Sequence, residues 1–400
     1  MSSSVAWCVP NQRKSEKKMR YAIAVLAVFV TLVAYALYPM FLFPDLSFQL
    51  YYKSQIFKLS VRFADIVKFR QELYKVRNTT MESPNLYKTT LHIHYNTSSE
   101  LYLPERDNEK SESNYLLRIY QPKQFKTGGY PVMMYMHGGG WVLNHIDVYD
   151  QFCRKMSERG FIVVSVGYRK APEHVFPACL NDVLNAMSWI GKNLRDEKYN
   201  ANLNQFTISG DSGGGHLAVH AVVRSILLDQ EVSKREQLPR VHYQALLYPA
   251  VHYYMSNRTR FESYKTFGDY GYILDGPVLE KFWRYLVGSN TSDEELSTNP
   301  FLSVLSAYDP RLESSKVLYS KLPSGFVITA EYDILRDEGA EYARIINEAA
   351  NGTAIVKHML TPKAVHGFAQ FPTDEMASNF AAIIKSFFST TETTQGTIQN

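Results

Sequence analysis

The stretch "QFTISGDSGGGHLAVHAVV" (205–223) limits what this chain can fold into more than any other. A β-branched run enters a segment with glycines at 210, 213, 214 and 215, and an apolar helical pattern leaves it. Only a tight strand–turn–helix unit accommodates that order. Two incompatible chemistries use such a turn. G-x-S-x-G sets Ser212 between Gly210 and Gly214 as a raised nucleophile, whereas G-x-G-x-x-A (Gly213, Gly215, Ala218) cradles a dinucleotide pyrophosphate.

The rest of the chain decides between them. "YLLRIY" (115–120), "PVMMYMH" (131–137), "FIVVSVGY" (161–168), "HYQALLY" (242–248), "GFVITAE" (325–331) and "AIVKHML" (354–360) read as strands alongside "QFTIS". Helical patterns fall between most of them, at 178–194, 215–229 and 337–350 among others. Buried β-branched runs alternating with helices predict an α/β fold with a mostly parallel sheet covered on both faces. Residues 252–320 break the alternation with an insertion carrying "GPVLEKFWRYLVG" (276–288), expected as a helical lid over the C-terminal edge of the sheet.

In that order the pyrophosphate reading fails. The glycine turn follows the fourth of these strands, and the nearest downstream acid, Asp229, still lies in the helix rather than ending a next strand. The serine reading gains instead. A serine hydroxyl needs a base oriented by an acid, in the chain order Ser, Asp or Glu, His. Asp333 stands directly after "GFVITAE", and His366 follows the last strand in "AVHGFAQF". Asp337 is the rival acid, expected to open the next helix as its N-cap. His358 is the rival base but sits inside a strand, and His216 is expected to be a packed helix residue. "MHGGGW" (136–141) supplies an oxyanion hole, with Gly138 and Gly139 as expected donors and the Gly213 N–H completing the set.

Other chemistries find little support. A net charge of +4 over 400 residues, with basic residues dispersed beyond the N-terminus, argues against nucleic-acid binding. Three cysteines make no C-x-x-C or zinc spacing, so no metal and no cofactor is expected; whether Cys153 and Cys179 pair stays open. His92 and His94 share one face of the strand "LHIHY", with no third ligand nearby, which favours a solvated face.

The N-terminus reads differently from the body. Tyr21–Phe43 holds no charged residue, and the 18 residues before Pro39 span about 27 Å as a helix, close to the ~30 Å hydrocarbon core. Arg13, Lys14, Lys17, Lys18 and Arg20 precede it, predicting a cytosolic tail (1–20), a transmembrane signal-anchor (21–43) and a luminal body. A cleaved signal peptide ending at Ala36 is the competing reading. Five sequons, at Asn78, Asn96, Asn257, Asn290 and Asn351, all follow the segment. Residues 44–84 form a linker or cap whose 48–77 portion is amphipathic and helical; packing on the body and lying on the membrane are both open to it. The catalytic domain is expected over 85–390, with a flexible tail at 391–400.

With "HGGGW", "YRKAPEHVFPA" (168–178), "GDSGGG", "YDILRDEG" and "HGF" in place, residues 85 to 390 resemble the hormone-sensitive lipase family of α/β-hydrolases. The D-x-L-R-D variant and the anchor resemble its arylacetamide deacetylase and neutral cholesterol ester hydrolase branch. The resemblance implies an α/β-hydrolase fold, a triad of Ser212, Asp333 and His366, and a carboxylic ester or amide hydrolase facing the lumen of the endoplasmic reticulum. Gly213 and Lys170 depart from the family, which usually has alanine or a similar small residue at the first and leucine at the second. The expected substrate is an apolar ester, arylacetamide or lipid ester; the alternative is a hydrolase scaffold that binds a ligand or partner without turnover.

Overall fold

The computed structural model describes residues 48–76, 83–95, 99–103, 113–288 and 291–396. The apolar segment 21–43 and the sequons Asn78, Asn96 and Asn290 lie outside them. Among the described residues, no helix is long and apolar enough to cross a membrane.

Eight strands form one sheet: β1 Leu86–Tyr95, β2 Ser113–Pro122, β3 Tyr130–Met136, β4 Ile162–Gly167, β5 Ala201–Asp211, β6 Tyr243–Leu247, β7 Gly325–Tyr332 and β8 Val356–Val365. Their spatial order is β1-β2-β4-β3-β5-β6-β7-β8. β2 pairs antiparallel with both β1 and β4, and every other pair is parallel. The sequence explains the difference. β3, β4 and β6 are predominantly apolar and buried almost throughout, as strands covered on both faces must be. β1 alternates, with His92 and His94 exposed on the solvated face of the sheet edge.

One face of the sheet packs a cluster of Met133, Tyr135, Phe152, Met156, Val163, Phe326, Phe380 and Ile384, joining it to helices Asp150–Glu158 and Asp374–Gly396. β6 shows the period of two that puts the other face to use. Tyr243, Ala245 and Leu247 enter this cluster, while Gln244 accepts at 2.8 Å from Tyr342 Oη of helix Arg336–Ala350. Cys153 and Cys179 are both buried free thiols, so the two do not form a disulfide.

Among the described residues the insertion folds into one 3₁₀ turn, Tyr254–Ser256, and five α-helices: Glu262–Phe267, Gly276–Val287, Asp293–Thr298, Val304–Ala307 and Glu313–Ser320. Asp275 fixes the largest. Its Oδ1 accepts from the Val278 N–H at 3.1 Å as an N-cap, while Lys58 and Arg62 pair with Oδ2 at 3.2 and 2.6 Å. The amphipathic stretch is two helices rather than one, Phe48–Phe63 and Ile66–Val76. The break falls at Asp65, whose Oδ1 accepts from the Val67 and Lys68 N–H groups at 3.1 and 3.2 Å. Val61 and Ile66 are buried, which favours packing on the body for that face, whereas Ile56, Leu59 and Phe63 are exposed.

Asp275 is fully buried, so losing its carboxylate strands Lys58, itself 5% exposed, without its counter-charge. Asp275→Ala is expected to lower the unfolding free energy by about 3–5 kcal/mol, and Asp275→Asn, which keeps the cap, by less. Urea unfolding with an unchanged slope tests this; equal stability of Asp275→Ala and the parent refutes it.

Candidate active site

β5 ends at Asp211 and the helix Gly213–Leu227 begins two residues later, so the chain reverses at Ser212 alone. Its backbone sits at φ 54, ψ −123, a conformation L side chains seldom adopt. No room remains for side chains around it. A Cβ on Gly210 would collide with the Gly214 carbonyl, and one on Gly214 with the Met136 carbonyl of β3. These are the two glycines of the G-x-S-x-G reading, each required by close backbone approach.

Parallel pairing brings the remaining candidates to the same edge. β3 and β5 align at Met136 and Gly210, β5 and β6 at Asp211 and Leu247, and β7 and β8 at Tyr332 and Val365. Asp333 and His366 each follow one of those strand ends. Ser212 Oγ and His366 Nε2 are 2.8 Å apart, and His366 Nδ1 and Asp333 Oδ2 are 2.7 Å apart. Asp333 is 1% exposed, and its Oδ1 accepts from the Leu335 N–H at 3.0 Å, which fixes the carboxylate while leaving Oδ2 for the imidazole. A carboxylate oxygen only accepts, so the proton sits on Nδ1 and Nε2 is left to accept from the serine hydroxyl.

The rivals stand elsewhere. Asp337 is not an N-cap: the helix begins one residue earlier at Arg336, and Asp337 Oδ2 accepts from the Ser263 N–H of the insertion at 2.8 Å. His358 Nε2 lies 2.8 Å from Thr329 Oγ1 within the sheet. His216 is buried, and burial holds its pKa well below the usual histidine range. It packs edge-on to Trp141 and Trp283 with centroids 5.0 and 5.5 Å away.

The glycine loop after β3 corrects one expectation. The Gly138 N–H donates to Asp211 Oδ1 at 2.6 Å, so it is committed inside the protein and is not available to a substrate. The Gly138 carbonyl accepts from His137 Nδ1 at 2.8 Å and Asn144 Nδ2 at 3.2 Å. Because a trans peptide directs its O and N–H oppositely, the Gly139 N–H is turned away from these groups. Gly139 and Gly140 both have positive φ, 119 and 59. Among the described residues nothing accepts from the N–H of Gly139, Gly140 or Gly213. The loop also lies against Gly213: a Cβ there would stand 3.1 Å from the Trp141 backbone nitrogen and 3.2 Å from its indole. A side chain at 213 would therefore require the loop to give by a few tenths of an ångström. Lys170, the other departure, donates to the Tyr168 carbonyl at 3.0 Å over the Tyr168 ring, and burial pushes its pKa down to about 7.

Gly140, Asp211 and Tyr248 are site residues that the sequence reading passed over. Asp211 is 1% exposed and also accepts from Tyr135 Oη at 2.9 Å and Tyr149 Oη at 2.7 Å. Burial pushes its pKa up to about 6 against the pull of these bonds. Tyr248 Oη lies 3.5 Å from Asp211 and accepts from the Ala369 N–H at 3.0 Å, while its ring meets that of His366 edge-on at 4.8 Å. The available signal was an acid inside a glycine turn, where only distant donors can satisfy it.

A family model described as alpha/beta hydrolase fold matches residues 133–370. The carboxylesterase NlhH of Mycobacterium tuberculosis is 31% identical over 258 residues, spanning 64% of this chain and 71% of that protein. The arylacetamide deacetylase of Oryctolagus cuniculus is 26% identical over 351 residues, spanning 76% and 80%. Among solved structures, an esterase from Pyrobaculum calidifontis is 28% identical with a TM-score of 0.61, covering 86% of this chain and 98% of its own. With the sheet order, the elbow and these matches together, the chain belongs to the alpha/beta hydrolase fold family, in its hormone-sensitive-lipase-like division, and is an enzyme of the carboxylesterase type.

Proposed function

We propose that the chain is a membrane-anchored serine hydrolase of apolar carboxylic esters or arylacetamides, working through Ser212, His366 and Asp333. The continuous hydrogen-bonded line from Ser212 Oγ through His366 to Asp333, at 2.8 and 2.7 Å, carries the reading. His366 Nε2 takes the Ser212 proton as Oγ bonds to the acyl carbon, and Asp333 holds the imidazolium through Nδ1–H. The N–H groups of Gly139, Gly140 and Gly213 receive the oxyanion, aided by the N-terminus of helix Gly213–Leu227. Collapse expels the alcohol or amine with the proton from His366. A water activated by the same nitrogen then cleaves the acyl-enzyme, freeing the carboxylic acid and restoring Ser212.

The membrane part of the proposal rests on the uncharged segment 21–43, which ends just before helix Phe48–Phe63. On that helix Ile56, Leu59 and Phe63 fall on one face and are 49%, 54% and 81% exposed, as a surface meeting lipid would be. Asn257 and Asn351 are exposed, as acceptors of luminal glycans must be. A type II orientation with the catalytic body in the lumen of the endoplasmic reticulum fits these features.

Ser212→Ala is expected to abolish labelling by a fluorophosphonate probe and to lower ester hydrolysis by about 10⁶-fold. Labelling that is equal in the variant and the parent would sink the catalytic reading. Asp211→Asn, which disturbs the acceptor holding Gly138, is expected to lower kcat by roughly 10²–10³-fold with little change in KM. An unaltered kcat excludes that positioning role. Expressed through a secretory pathway, the full chain should resist carbonate extraction and gain mobility on endoglycosidase treatment, with smaller shifts for Asn257→Gln and Asn351→Gln. Release by carbonate, or a chain beginning at Leu37, refutes the anchor.

A further inference from the structure

A cavity of about 1080 Å³ opens on the edge of the sheet opposite Ser212. It lies between the starts of β5, β6, β7 and β8, with Gln205 of β5 on its wall. Ser212 lies seven residue steps of extended chain beyond Gln205, about 23 Å, so the two sites share no residue. The volume is on the scale of pockets that enclose a drug-sized molecule.

Its lining is one-sided in charge. Arg240, Lys321 and His242 line it, and no aspartate or glutamate does. Neither Arg240 nor Lys321 is held in an ion pair among the described residues. His242 Nδ1 is buried and has no hydrogen-bond partner. Burial and the neighbouring Arg240 guanidinium push the His242 pKa down, so the ring adds no third charge near neutrality. The remaining wall is mixed: an apolar strip of Val222 and Ile226 from the helix after Ser212, Leu322 before β7, and Phe387 and Phe388 of the C-terminal helix runs beside the amides and hydroxyls of Asn202, Gln205, Ser225 and Ser324. Unpaired cations at the open side of a cavity with an apolar strip along its wall suit a ligand with a negative head and a hydrocarbon body.

We infer that this cavity is a second ligand site taking an anionic amphiphile, a long-chain carboxylate, with its head at Arg240, Lys321 and His242 and its chain along Phe387, Phe388 and Leu322. The charge and shape argument stands by itself. Only the further step, that the carboxylate is the acid released at Ser212, rests on the catalytic reading.

Dodecanoate is the probe, titrated calorimetrically into the full chain in nanodiscs after Ser212 has been blocked with a fluorophosphonate. An Arg240→Glu/Lys321→Glu double variant in the same lipid controls for partition into the bilayer. Saturable binding of one dodecanoate per blocked chain is expected, weakened at least tenfold in the double variant and in Arg240→Gln/Lys321→Gln, with dodecanol bound equally weakly by all. Wild-type fluorophosphonate labelling rates in both variants show that they are folded. Equal binding by parent and variants, or equal binding of dodecanol and dodecanoate, overturns the site. Tighter binding of dodecyl phosphate than of dodecanoate overturns the assignment of the ligand as a carboxylate. If Ser212 fails to label, the catalytic reading falls, and the titration still reads the second site on Ser212→Ala.

Discussion

The architecture of the site depends on a single backbone conformation, the positive φ of 54 at Ser212. A strand that becomes a helix within one residue must bring its flanking backbone into contact. Gly210 therefore meets the Gly214 carbonyl, and Gly214 meets the Met136 carbonyl of the adjacent strand. The strain of such a residue, of order 1–3 kcal/mol, persists only when its surroundings over-determine it. Here they do. The Ser212 N–H donates to the Leu247 carbonyl of β6 at 3.0 Å, and its carbonyl accepts from His216 and Ala250 at 3.1 and 3.2 Å. The turn is thus held by β3, β6 and its own helix, and a serine carried on it has its Oγ fixed before any substrate arrives.

Asp211 extends that control to the other loops. As an acceptor-only group buried beside the elbow, it gathers the Gly138 N–H, Tyr135 and Tyr149, and it reaches Tyr248 at a longer 3.5 Å. Tyr248 in turn holds the backbone three residues after His366 and packs on the imidazole. The glycine loop, the serine turn and the histidine loop are therefore linked through one carboxylate. Burial raises its pKa while the Tyr149 and Tyr135 hydroxyls, the Gly138 amide and the charge of His366 oppose the rise, so hydroxyl and amide dipoles together with the imidazole stabilise its charged form.

What was legible in the sequence follows from the range of the interaction. Ser212, Asp333 and His366 stand at ends of apolar runs, and a parallel sheet necessarily carries such ends to one edge, so local pattern sufficed to bring them together. The fate of the Gly138 N–H was not legible, because it depends on Asp211, 73 residues away, across two adjacent strands. Asp337 failed as a cap in part for the same reason: its Oδ2 accepts from Ser263 of the insertion, while its Oδ1 accepts from the adjacent Arg336 guanidinium. The amphipathic period over 48–77 ran unbroken in sequence, and the turn at Asp65 was visible only once its carboxylate was seen capping the second helix. The cavity on the far edge has no sequence signature at all, since four strand starts distant in the chain build it.

The cap segment closes the chain of dependence. Arg70, 8% exposed, donates to the Val142 carbonyl at 2.9 Å and the Ala171 carbonyl at 3.3 Å, and pairs with Glu173. Val142 lies two residues beyond Gly140, and its N–H and that of Leu143 donate to the Gly139 carbonyl at 3.2 and 2.8 Å. The same pair of helices grips Asp275 through Lys58 and Arg62, and with it the helix whose Phe282 ring packs where a Cβ on Gly140 would stand. Helices that present Ile56, Leu59 and Phe63 outward are thus joined inward to both sides of the glycine turn. A displacement of these helices by whatever surface they meet would be transmitted to the Gly139 and Gly140 amides through two charged anchors. The geometry of the Gly139 and Gly140 amides is accordingly a property of the cap as well as of the sheet.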